Sequence, residues 1–430
     1  MKQKSSLLFQ LFELLIIVIL LFLANRRAWY CFLVLDDREY YCEYGNISSD
    51  YFWWGIVVAG VILLVLQRNL LREYVARWQA NWPLLIFILY SLLSLLWTVQ
   101  IDRSIHTVYI LIAASVSAAG LATIYSRERL FRLLLWFSGL TALLSLTAVI
   151  LLPQTAITQI DYLAGTWRGL FWHKNYFGSV MAFGNGLFLY SVLQNSTNLR
   201  ARVLSSGFYL LTLFLVIMSQ SATGIIIVFL LHGICLAYFA WRKWGNLARR
   251  RHYVWFATLF SLITGAVLLN LASIFSLIGK NITLTGRVPV WRYLLQDIVS
   301  QRPWLGYGWE TVWYERSFQV AAANAANWGI VVINSHSGYM DILVYLGAVG
   351  FAIFLLAVLQ ASMRAFGHAF SSTGSQNLAP LLILAYVLIT NITISYFLEF
   401  ESFHWVLLVF VLFMTLSSSN VKSTQVTPYI

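Results

Sequence analysis

Apolar residues in this chain come in long unbroken runs, not in the alternation of strands or the narrow stripe of a surface helix. A helix crosses the hydrocarbon core with about 20 such residues, because only a helix satisfies its own backbone polar groups there. That measure predicts about twelve transmembrane helices, over 7–24, 52–67, 82–99, 106–125, 131–152, 176–194, 205–219, 222–241, 253–278, 337–361, 379–396 and 403–418. Only brief polar breaks, at Ser219 to Ala222 and at Tyr396 to Ser402, separate the seventh span from the eighth and the eleventh from the twelfth. One long hydrophilic interruption, 280–335, lies between spans nine and ten. The pattern is that of an all-α polytopic membrane protein, a single membrane-embedded domain over 1–430 with one loop subdomain at 280–335.

Within that loop, Val290, Trp291, Leu294, Leu295 and Ile298 recur at helical spacing, and Arg292, Gln296 and Ser300 take the other side. Pro289 suits a first helical position. The spacing predicts an amphipathic helix along the membrane surface, ending near Gln301 ahead of Pro303.

Composition agrees: 60% of residues are hydrophobic and 10% charged, which excludes an ordinary soluble domain. Most basic residues fall on one side if the N-terminus is cytoplasmic, among them Arg68, Arg72, Arg77, Arg127, Arg129, Arg132, Arg200, Arg202, the group from Arg242 to Arg251, and Arg364. Of the acidic residues, only Glu73 and Glu128 join them. An even number of spans then puts both termini inside and the 280–335 loop outside. The net charge of +12 is on this account a topology signal and not a sign of nucleic-acid binding. Cys31 and Cys42 share the first outer loop, either as a disulfide or as two thiols, and Cys235 sits alone in a span. Residues 1–24 lack a small-residue cleavage site and read as a retained span.

Two groups of residues could carry chemistry. In the outer loop, Arg287 stands just before the expected surface helix, where free N–H groups favour an anion. The alternative is an arginine snorkelling to the interface. Arg302 is either a second cation or part of a Pro–Gly turn. His336 stands at the mouth of the tenth span, with Asn334 or Ser335 placed to cap that helix, either as a general base or as a hydrogen-bonded interfacial histidine. Asp341, five residues on and on a different face, is poorly placed to orient His336, yet its depth demands a partner. The second group precedes the sixth span, where Trp167, Arg168, Trp172, His173, Lys174 and Asn175 enter together. These residues suit phosphate or sugar hydroxyls as well as interfacial anchoring. The seven histidines lack the close spacing of metal ligands, and no phosphate-binding glycine loop is present, so neither metal nor ATP is expected as a cofactor. The energy would come with the substrate, as a lipid diphosphate sugar with a good leaving group.

Five motifs in order resemble the O-antigen ligase and polymerase superfamily of bacterial inner-membrane glycosyltransferases, and more closely its exopolysaccharide polymerase branch. They are Gly169-Leu170-Phe171-Trp172-His173-Lys174-Asn175-Tyr176-Phe177-Gly178, Ser219-Gln220-Ser221-Ala222-Thr223-Gly224, Thr285-Gly286-Arg287 with Trp291, Arg302-Pro303-Trp304-Leu305-Gly306-Tyr307-Gly308, and His336-Ser337-Gly338-Tyr339. The resemblance covers about 160–360. It implies a metal-independent inverting glycosyltransferase of the inner membrane with the 280–335 loop in the periplasm. The donor would be an undecaprenyl-diphosphate-linked glycan, the acceptor a glycan or lipid A-core, and a chain-length regulator protein a further partner. Arg287 then matches the diphosphate-binding arginine and His336 the histidine that activates the acceptor hydroxyl, with Arg168, His173, Lys174, Asn175, Trp291, Arg302 and Tyr339 as substrate-binding residues. Ligases commonly carry an arginine where this chain has Ala222, so Arg168 or Lys174 would complete the phosphate site, which favours the polymerase branch.

The first expectation is therefore a polymerase of lipid-linked oligosaccharide repeats. The second is a ligase using the same chemistry. A bicarbonate-like small-anion transporter is the rival from another class, and few intramembrane charges and no matched pair of broken helices speak against it.

Overall fold

The computed structural model describes residues 13–20, 68–159, 163–194, 198–243, 287–327, 332–371, 378–397 and 403–416. Its helices are α1 (Arg68–Ala80), α2 (Trp82–Leu93), α3 (Ile101–Ile124), α4 (Arg127–Leu151), α5 (Lys174–Gln194), α6 (Leu199–Ser219), α7 (Ala222–Lys243), α8 (Arg287–Tyr293), α9 (Arg316–Ala326), α10 (Gly338–Ser371), α11 (Ala379–Thr393) and α12 (Phe403–Met414). Residues 13–20 are also helical. Among the described residues the β pairing is a single antiparallel bridge, Ile157 to Trp167.

Of the twelve expected spans, those at 52–67 and 253–278 lie outside the described residues, as do Cys31, Cys42 and the loop segment 280–286. Six described helices are long and apolar enough to cross a membrane, or seven if a pair bent by 81° between α1 and α2 counts as one. The bend falls at Asn81, where Pro83 starts the new helix. The freed Ala80 carbonyl is satisfied from α10, accepting from Arg364 Nη2 at 2.7 Å and from Gln360 Nε2 at 3.0 Å, and Arg364 Nη1 also donates to the Asn81 side chain, at Oδ1, at 2.6 Å. The expected spans at 379–396 and 403–418 are present as the shorter helices α11 and α12.

The core forms around α5, which packs against α4, α6, α7 and α11 and is buried along most of its length. Its contact with α7 is close because two glycines face each other. A Cβ on Gly224 would lie 2.8 Å from the Gly178 carbonyl, and one on Gly178 would lie 2.5 Å from Ser221 Cβ. Such small-residue contacts let helices approach where no hydrophobic force drives them together.

Helix α10 departs from its expected limits, 337–361, by running on to Ser371 and by breaking at Gly347 (φ 63°, ψ −169°). This backbone region is essentially reserved for glycine. The segment 302–308 docks at the break. Pro303 O accepts from Ala348 N at 2.8 Å, Tyr307 N donates to Val344 O at 3.2 Å, and Gly308 N donates to Tyr345 O at 2.9 Å. A Cβ on Gly347 would collide with the Trp304 carbonyl group. The Arg302-to-Gly308 motif is thus a plug for a broken helix.

The two ends of the bundle are chemically distinct. At one end, Arg77 pairs with Glu73 at 2.6 Å and donates to Phe413 O at 2.7 Å, Arg129 pairs with Glu13 at 2.6 Å, and Arg127 meets His368 Nδ1 at 2.9 Å. The ends of α5, α8 and α10 that carry His173, Arg287 and His336 come together elsewhere.

Candidate functional site

Three segments build the site, and each has a local reason for its shape. The first is the entry to α5. His173 caps this helix with its ring: Nδ1 accepts the Asn175 N–H at 3.1 Å, and its carbonyl accepts from Phe177 N at 3.1 Å. An Nδ1 that accepts puts the neutral ring's proton on Nε2. Lys174 follows as the first helical residue, 7% exposed, with Nζ donating to Gln220 O at 3.3 Å. That carbonyl belongs to the two-residue turn between α6 and α7, where Gln220 is left-handed (φ 48°) and Ser221 Oγ caps α7 by accepting from Gly224 N at 3.1 Å. The brief break at Ser219 to Ala222 is therefore a tight hairpin, and Lys174 is bound to it.

Arg168, also 7% exposed, directs Nε to Thr155 O at 2.7 Å and Nη1 to Trp172 O at 3.4 Å. It clamps the loop ahead of α5. Trp172 lies against His173 with ring centroids 5.2 Å apart.

The second segment is α8. The expected helix starting at Pro289 begins earlier, with Arg287 in its first turn and not ahead of it. Proline is tolerated there because the first N–H groups of a helix have no intrahelical partner. The helix continues through a π turn over Leu294–Ile298 and a 3-10 turn to Gln301. Val290, Leu294 and Ile298 form its buried face, and Leu295 is exposed. Trp291 donates Nε1–H to Ser335 O at 2.8 Å.

The third segment, 334–337, leads into α10. His336 is left-handed (φ 54°), and its N–H is held by Asn334 Oδ1 at 2.9 Å. Ser335 Oγ accepts from Ser337 N at 3.1 Å. Asn334 and Ser335 thus fold the turn that carries His336. Asp341, 1% exposed, finds its partners in this turn and in the loop before α9: Oδ1 accepts from Ser335 N at 3.1 Å and from Trp313 Nε1 at 3.0 Å.

These segments converge electrostatically on His336. Burial first, then the charge of Arg287 and the electrostatic influence of His173, pull the half-buried imidazole down to about 3, so it is neutral at physiological pH. Burial lowers Arg287 from its ordinary value, and Tyr396 opposes that shift. Tyr396 arrives from the end of α11, with its ring 4.4 Å from Tyr176 and 4.7 Å from His404.

The expected site residues thus divide. His336, Arg287 and His173 share one field, Lys174 and Asn175 flank His173, and Trp291 joins α8 to the His336 turn. Tyr339 donates its hydroxyl to Leu388 O at 2.9 Å, which ties α10 to α11. Arg302 is exposed, with its guanidinium over the Tyr307 ring at 4.9 Å, and belongs to the plug. Sequence reasoning named Ser335 only as a helix cap and Tyr396 only as a span boundary, and it did not reach Trp313. Only the depth of Asp341 hinted at the network that Ser335 and Trp313 form.

A family model described as O-antigen ligase matches residues 207–355, a stretch that includes the α6–α7 turn, Arg287, Trp291 and His336. No curated protein matches the chain.

Proposed function

We propose that this chain, whose residues 207–355 match the O-antigen ligase family model, is a membrane glycosyltransferase extending undecaprenyl-diphosphate-linked oligosaccharide repeats into exopolysaccharide or O-antigen. The observation that carries this reading is the convergence of Arg287 and His173 on a neutral His336.

The acceptor sugar hydroxyl attacks the anomeric carbon of the donor from the side opposite the diphosphate. The new carbon–oxygen bond forms as the bond to the diphosphate breaks, and the electron pair leaves with undecaprenyl diphosphate. His336 takes the hydroxyl proton. Arg287 holds the departing negative charge, with His173 Nε2–H as a further donor. An imidazole titrating at about 3 is a weak base. An anionic diphosphate beside Arg287 cancels that guanidinium's field and raises the basicity of His336 only when the donor is bound. Lys174, held on the α6–α7 turn beside His173, supplies the cation that Ala222 does not.

Charge segregation supports a periplasmic position for this face, with both termini in the cytoplasm of a bacterial inner membrane. The family description also favours a second reading, ligation of a finished glycan to lipid A-core or another acceptor. One experiment separates them: purified protein is given a defined undecaprenyl diphosphate oligosaccharide, alone or with lipid A-core, beside His336→Ala and Arg287→Ala. A ladder of repeats from the donor alone, abolished by both substitutions, supports the polymerase. A single transfer that requires lipid A-core supports the ligase, and no product with any acceptor overturns both.

A further inference from the structure

We propose that Asp341 is a positioning residue for glycan transfer, holding His336 against Arg287 through the backbone of Ser335. The inference rests on the function proposed above and adds a residue that touches neither substrate.

Ser335 is gripped on every polar group. Asp341 Oδ1 takes its N–H at 3.1 Å, Trp291 Nε1 donates to its carbonyl at 2.8 Å, and its hydroxyl donates to Ser337 O at 2.7 Å. The next residue, His336, holds a left-handed backbone (φ 54°) that a side chain with a Cβ does not adopt without support. Trp291 lies four residues after Arg287, on the same face of α8. The chain of contacts therefore runs from Arg287 along one turn of α8 to Trp291, across to Ser335, and on to His336, with Asp341 fixing Ser335 from the opposite side. Trp313 Nε1 bonds the same Asp341 oxygen at 3.0 Å and brings the segment before α9 into the network. A buried carboxylate with charge-assisted hydrogen bonds suits this task, since such bonds are short and directional. Asp341 acts on the histidine's backbone, so its side chain need not share a face with the imidazole.

The test compares wild type with Asp341→Leu, Asp341→Asn and Trp313→Phe. It reads steady-state transfer from the lipid diphosphate oligosaccharide and the rate at which diethyl pyrocarbonate modifies His336, followed by mass spectrometry. Loss of a charge-assisted bond predicts that kcat falls about tenfold or more in Asp341→Leu, with donor KM within about twofold. Asn keeps an oxygen for both N–H donors, so Asp341→Asn recovers most of the rate. Trp313→Phe falls between, and it decides the matter if Asp341→Leu does not fold. His336 is modified faster in Asp341→Leu and Trp313→Phe than in wild type. Unchanged kcat and unchanged modification in those two variants overturn the proposal, as does an Asp341→Asn as inactive as Asp341→Leu. A wild type that transfers nothing sinks the transferase reading alone, because the modification rates still report whether Asp341 positions His336.

Discussion

The indole of Trp291 donates to the carbonyl of Ser335 at 2.8 Å, joining residues 44 apart in sequence. One partner stands a helical turn from Arg287 and the other stands beside His336. A cation for the leaving group and a base for the acceptor must keep a fixed separation, since misplacement by about 1 Å can cost about a hundredfold in rate. This single bond spans the two segments that carry them.

Trp291→Phe keeps the ring and removes the N–H. A net hydrogen bond is worth about 1 kcal/mol, so turnover should fall about fivefold. The unfolding temperature in detergent should fall only slightly, because one hydrogen bond is lost while the aromatic surface remains. A variant as active as wild type would mean that the bond does not set the geometry of transfer.

Gly347→Ala should do the reverse and act on stability. Its Cβ would collide with Trp304 at a backbone angle (φ 63°) that alanine resists, and the strain should cost about 1–3 kcal/mol. The expected outcome is a lower unfolding temperature with faster proteolysis at 302–308, as the plug leaves the break in α10. An unchanged melting curve would show that the plug does not depend on this glycine.

That break shows where sequence patterns stop. The apolar run through Gly347 is uninterrupted, and helical periodicity reads straight across it. The break is fixed by backbone groups of Pro303 and Trp304, more than forty residues earlier, which no local pattern encodes. The start of α8 at Arg287 was hidden for a different reason: proline fits anywhere in the first turn of a helix, so Pro289 did not mark the boundary. Long apolar helices such as α3 and α4 were legible because hydrocarbon demands length and uniformity. In the site, Arg287, His173 and His336 stood out as titratable groups in an apolar chain. The bond from Asp341 to the turn before α10 was hidden because it is made to the Ser335 backbone N–H, which side-chain spacing does not reveal.

Gly224→Val tests the contact between α5 and α7. Its Cβ would sit 2.8 Å from the Gly178 carbonyl, and the larger side chain forces the helices apart. The entry to α5 and the α6–α7 turn should then separate, so that Lys174 loses Gln220. Donor KM should rise, by about tenfold if one charge-assisted phosphate contact is lost, with kcat less affected. Equal donor KM in variant and wild type would remove Lys174 from the donor site.

The last expectation concerns pH. An unfolded histidine titrates near about 6.5, and His336 is held at about 3 by burial, Arg287 and His173. Above the unfolded value both states are neutral and the residue gives stability no pH dependence. As pH falls from there toward 3, the unfolded chain binds a proton that the folded protein refuses, so His336 destabilises the fold progressively. Wild type should therefore lose more unfolding temperature between pH 7.5 and pH 5 than His336→Gln. Arg287→Gln should lessen the loss without abolishing it, because burial remains the larger cause. Equal losses in wild type and His336→Gln would mean that the imidazole titrates normally and that Arg287 and His173 do not bear on it.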